Sequence, residues 1–143
     1  MKQLIVDANC ATLTLSANPN PDFAPVMQAI LKNKATLVLG GSKQRDEYTR
    51  LAAVWRFIIA LDRAGKAKKY LDSEVDHFEV SLGESGLLRS DDPHILALAR
   101  VSGARLLCSR DQNLHFDFTS QQILNAPQGK VYQNATHAHL LRR

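Results

Sequence analysis

Four carboxylates in this chain fall at the ends, or on the apolar faces, of candidate elements: Asp7, Glu47, Asp92 and Asp111. Asp7 ends the run QLIV, Asp111 follows ARLLCS, and Asp92 opens a segment, PHILALA, whose next turns are almost wholly apolar. Bare carboxylates brought into one pocket repel, and hard divalent cations are the natural remedy. An acid-rich, all-oxygen set without thiolates selects Mg²⁺ or Mn²⁺ over zinc. Such ions keep several waters and bridge to phosphate oxygens, the arrangement used to hydrolyse phosphodiesters.

The elements that must position these acids follow from apolar periodicity. QLIV at 3–6, ATLVL at 35–39 and ARLLCS at 104–109 are short runs suited to strands buried on both faces. Helical patterns fill the intervals at 22–33, 44–65, 73–84 and 92–103, with Gly65 and Gly103 where a C-terminal cap is expected. Alternating strands and helices predict an α/β fold with a central parallel sheet. In such sheets ligands gather outside the carboxyl ends of the strands, where Asp7 and Asp111 fall. A capping or turn role after a strand explains either aspartate alone as well.

Glu47 precedes Leu51, Val54, Trp55 and Ile58 at +4, +7, +8 and +11, the stripe that one continuous helix turns toward its core. A carboxylate on that face needs a cation, a proton or an Arg or Lys partner. Asp46 points about 100° away, free to pair with Arg50 as a solvated residue would. Asp92 precedes Ile95, Leu96 and Ala99 on the core side of its helix. With Pro93 at the first helical position Asp92 is also a ready N-cap, but Ser90 and Asp91 are alternative acceptors. The expectation is Asp92 turned to chemistry, with Asp91 or Ser90 closing the helix.

The bulk properties bound the class. The chain has 143 residues, 45% of them apolar, enough for one domain (1–143) and too few for two. A net charge of +4 and a pI near 9.3 favour polyanionic partners. The densest basic stretch, RAGKAKK at 63–69, holds four bases and no acid, and the end HAHLLRR adds two arginines; solvated surface is the ordinary reading of both. Two cysteines, Cys10 and Cys108, make no disulfide framework and no zinc-ligand spacing, which fits a reducing, cytoplasmic setting. The N-terminus lacks a signal-peptide core, no segment approaches a membrane span, and NAT at 134–136 is read as an accidental sequon.

At these motifs the chain resembles the PIN-domain family of small metal-dependent ribonucleases, which includes many toxins of toxin-antitoxin pairs. IVDAN at 5–9 resembles the family's first strand and acid, RDEY at 45–48 its helical glutamate, DDPHILALA at 91–99 its third-acid helix, and LLCSRDQNLHFDF at 106–118 its last strand with a Ser two before the acid. The resemblance implies a three-layer α/β/α sandwich with four or five parallel strands. It also implies Asp7, Glu47, Asp92 and Asp111 as holders of one or two Mg²⁺ or Mn²⁺ ions, and RNA cleavage leaving a 5′-phosphate and a 3′-hydroxyl. Asn9 and Ser109 match positions that orient a carboxylate or a metal-bound water. An inhibitory antitoxin protein and homodimers are the partners the family implies.

Other residues receive duller readings. His94 is expected to be a partly exposed helix histidine, Asp117 a surface residue between two buried phenylalanines, and the cysteines small buried thiols. GGSK at 40–43 lacks phosphate-loop spacing and reads as a turn with Ser42 capping the next helix. An RNA-binding or protein-interaction module with an inactive site is the alternative of another class. A phosphoacceptor domain built on Asp7 is disfavoured because no acid stands at position 9.

Overall fold

The computed structural model describes residues 2–142. Five strands, β1 (Lys2–Val6), β2 (Ala35–Leu39), β3 (Ala67–Lys69), β4 (Leu106–Cys108) and β5 (Lys130–Tyr132), form one all-parallel sheet in the order β3-β2-β1-β4-β5. The chain runs outward from β1 through β2 to β3, then returns to lay β4 against the other side of β1. The strand order therefore reverses between β1 and β4, and the crevice at their carboxyl ends is where such sheets bind ligands.

Strand alternation splits the core in two. Leu4, Val6, Leu37, Leu39, Leu106 and Cys108 face one side, where they pack on α1 (Ala8–Thr14), α2 (Ala24–Leu31), α3 (Ser42–Thr49) and α4 (Ala52–Arg63). Ile5, Val38 and Leu107 face the other, against α5 (Asp72–Glu84), α6 (Pro93–Ser102) and α7 (Gln112–Thr119). Leu4, Ile5 and Val6 are all fully buried, which is why β1 reads as an unbroken apolar run. A 3-10 helix (Ala135–Leu141) adds Leu141 to the first face. The result is the expected three-layer α/β/α architecture.

Three departures from the sequence reading matter. The helix expected over 44–65 is two, because Leu51 leaves helical conformation at φ −105°, ψ 83°. The stripe joining Glu47 to Leu51 and Ile58 therefore does not exist as one surface; Gln44 and Tyr48 are the buried residues of α3, and Glu47 is half-buried. Asp46 forms no ion pair with Arg50, and its carbonyl accepts the Thr49 hydroxyl instead. Third, RAGKAKK is not all free surface, since part of it is strand β3. Lys66 donates to the Leu31 carbonyl and Asn33, Lys69 pairs with Asp62 at 2.9 Å, and Lys68 lies over the Tyr70 ring. Among the described residues no helix is long and apolar enough to cross a membrane.

Candidate active site

Asp7 is the first residue beyond β1. Its backbone N–H donates to the Cys108 carbonyl, extending the β1–β4 pairing by one step. Although it occupies the N-cap position of α1, its side chain caps nothing. The carboxylate is 5% exposed, and its one hydrogen bond comes from the Ser109 hydroxyl at 2.9 Å. Among the described residues no lysine or arginine pairs with it. Burial, with Asp92 and Glu47 adding like charge, raises its pKa from 3.8 to about 6 despite the Ser109 bond.

Glu47 arrives from the opposite direction. The Tyr48 hydroxyl donates to the Val6 carbonyl, pinning the end of α3 to β1 immediately before Asp7. Burial holds the Tyr48 phenol far above its ordinary pKa. Next to that anchor, Glu47 meets His94, whose Nε2 lies 2.8 Å from Glu47 Oε1. The bond to His94 keeps Glu47 below its ordinary pKa and therefore ionised. An ionised carboxylate only accepts, so His94 Nε2 carries the proton.

Asp92 takes the N-cap position of α6, before Pro93, yet its side chain makes no cap bond. Neither Asp91 nor Ser90 closes the helix as expected; the Ser90 hydroxyl accepts the Asp92 N–H at 3.4 Å, and Asp91 is exposed. The Asp92 carboxylate is left to the crevice, where burial raises its pKa, opposed by His94 and reinforced by Glu47 and Asp111. Asp111 does cap: it begins α7 and accepts the Leu114 N–H at 3.1 Å. The Ser109 hydroxyl, fully buried, accepts the Asp111 N–H at 3.1 Å while donating to Asp7, so one side chain ties both acids together.

All four predicted acids thus meet at the reversal of strand order, but unequally. Ligand atoms of Glu47, Asp92 and His94 lie within 4.8 Å of one another, and Asp7 and Asp111 stand outside that group. Ser109 touches an acid, through its hydroxyl on Asp7. Asn9 does not: it is exposed on α1, with no hydrogen bond to any acid.

Three side chains carry roles that the sequence reading denied or overlooked. His94 is 1% exposed rather than partly exposed, and its Nδ1 is buried with no partner. Asp117, expected at the surface, is fully buried; both its oxygens accept the Arg89 N–H at 3.0 Å, and one accepts the Ser90 N–H at 2.8 Å, fixing the loop that delivers Asp92. His115 is buried on α7, its Nε2 2.6 Å from the Ser109 carbonyl oxygen. Acid-plus-two and acid-plus-four spacings, Asp92 to His94 and Asp111 to His115, were the available signals. Cys10 and Cys108 are buried thiols beneath Asp7. Their mutual hydrogen bond holds Cys10 below and Cys108 above the ordinary thiol pKa.

The donor set suits a divalent cation held by carboxylate oxygens. Asp7 and Asp92 are desolvated and form no ion pair among the described residues, an arrangement a bound ion would compensate. His94 suits an orienting role better than a ligand role. A histidine that binds metal through Nε2 normally donates its Nδ1–H to an acceptor, and none is present here. No family model, curated protein or solved structure matches the chain.

Proposed function

We propose that this protein is a divalent-metal-dependent endoribonuclease, with Asp7, Asp92, Glu47 and Asp111 holding Mg²⁺ or Mn²⁺. The observation that carries the reading is Asp7: a carboxylate 5% exposed, in no ion pair among the described residues, beside two further acids at the reversal of strand order. A bound ion would supply activation of water and stabilisation of charge on the scissile phosphate. Ser109 orients Asp7, His94 orients Glu47, and Asp117 holds the loop that aims Asp92. Lys43 and Arg50, both exposed, lie close enough to Glu47 to lower its pKa and are placed to meet phosphate at the crevice mouth. A toxin role with an inhibitory antitoxin, and a homodimer, follow from the family resemblance and belong to the same proposal.

One observation favours a second reading, an RNA-binding or protein-interaction module: His94 already gives Glu47 a partner within the chain. The discriminating experiment is incubation of a labelled mixed-sequence single-stranded RNA with Mn²⁺, Mg²⁺ or EDTA, alongside Asp92→Asn. The nuclease reading expects metal-dependent products with 5′-phosphates, reduced by on the order of a hundredfold or more in the variant. RNA retention without any metal-dependent cleavage supports the module.

A further inference from the structure

We infer that Arg89 and Phe116 form a stacking platform for an unpaired nucleobase of single-stranded RNA beside the acidic crevice. The inference rests on the nuclease reading and specifies how its substrate is held. The two residues come from the segments that deliver the acids. Arg89 lies three residues before Asp92, so its Cα is within about 11 Å of that acid's Cα. Phe116 lies five residues after Asp111, about 7.5 Å further along α7.

On α7 the side chains of Leu114, His115, Asp117 and Phe118 are buried, whereas Phe116 is 46% exposed. The Arg89 guanidinium lies over its ring, 3.5 Å from the centroid, and has no carboxylate partner among the described residues. The pair is held in place from beneath. Asp117, adjacent to Phe116 and fully buried, accepts the Arg89 and Ser90 N–H groups, so the same carboxylate fixes the backbone of Arg89 and the approach to Asp92. Aromatic rings and guanidinium planes are the two surfaces on which proteins stack splayed bases, and the arginine retains its charge for the neighbouring phosphate. A substrate strand running from this pair into the crevice would present its next phosphate groups to the acids. Stacking is tolerant of base identity, so the platform selects single strands over duplexes without imposing a sequence.

The test uses the full chain with Asp92→Asn as a non-cleaving parent, without metal, and measures binding of a single-stranded oligoribonucleotide and of copies carrying one abasic position. Phe116→Ala should weaken binding roughly tenfold with an unchanged salt slope, while Phe116→Trp retains it. Arg89→Ala should weaken binding and flatten the salt slope by about one phosphate contact. One abasic position should weaken the parent roughly tenfold and leave Phe116→Ala indifferent. Equal binding by parent and Phe116→Ala, or equal sensitivity of both to the abasic position, overturns the platform while leaving the nuclease reading standing. A parent that binds no single-stranded RNA overturns both. Far-UV circular dichroism checks that each variant is folded.

Discussion

Two sets of aspartates sit near the carboxyl edge of the same sheet and behave in opposite ways. At the start of α3, Asp72 accepts the Gly41 N–H at 2.9 Å and pairs with Arg45, and Asp76 accepts both the N–H and the hydroxyl of Ser42. Those carboxylates close the N-terminus of a helix that lacks a side-chain cap of its own. Gly41 makes this approach possible with φ at 95°, and a Cβ there would stand 2.8 Å from a Val75 methyl carbon. At the β1–β4 reversal, by contrast, Asp7 has one hydroxyl and Asp92 has no cap to serve. The number of acids does not mark a site; what distinguishes the two regions is whether the protein itself satisfies them.

The comparison sharpens with Asp117 set beside Asp7, since both are buried aspartates and their removal should act in opposite directions. Asp117→Ala leaves the Arg89 and Ser90 amides unpartnered and should destabilise the fold by about 3 kcal/mol or more, measured by urea unfolding. Asp7→Asn keeps an acceptor for Ser109 and removes an uncompensated charge. The metal-free variant should be as stable as the parent or more so at pH 7, by up to about 3 kcal/mol. A destabilised Asp7→Asn would show that Asp7 is a structural acid like Asp117.

The pH dependence gives an intermediate effect. A carboxyl whose pKa rises from 3.8 to about 6 on folding binds its proton more tightly in the folded chain. Its contribution to stability is therefore present below about pH 4 and lost as pH rises through about 6. Asp92 acts in the same direction, while Glu47, lowered by His94, adds stability that is lost as pH falls below its unfolded pKa. Metal-free protein should lose stability between about pH 4 and 6, and Asp7→Asn should remove most of that slope. Thermal midpoints across that range measure it. The smallest effect belongs to Asp91→Asn, which should leave cleavage within about twofold, because Asp91 is exposed and caps nothing. A loss matching Asp92→Asn would assign the ligand to the wrong member of the pair.

The sequence carried the sheet's centre and lost its edges for one reason. β1, β2 and β4 are covered on both faces and read as apolar runs, whereas β3 and β5 present lysines to solvent and resemble loops. α1 spans only seven residues, too few for an apolar period to announce it as a helix. The α3–α4 break carries no Gly or Pro to announce it, so Glu47 came to the crevice for a reason other than the stripe that suggested it: the Tyr48 anchor to Val6. As candidates the acids were legible in the sequence, Asp7, Asp92 and Asp111 beside apolar runs and Glu47 four residues before Leu51. The partners that aim them were not, since a buried histidine or a buried aspartate on a short helix is indistinguishable in sequence from an exposed one. His94, His115 and Asp117 acquire their roles only when β1, β4 and α6 are brought together.

The central claim is that the unsatisfied acids hold a cation, and titration of the metal-free protein with Mn²⁺, followed by electron paramagnetic resonance, tests it most directly. The account predicts one or two bound ions in the parent, a rise in thermal midpoint on binding, and loss of both in Asp92→Asn. A parent that binds Mn²⁺ no better than the Asp7→Asn, Asp92→Asn double variant would contradict it.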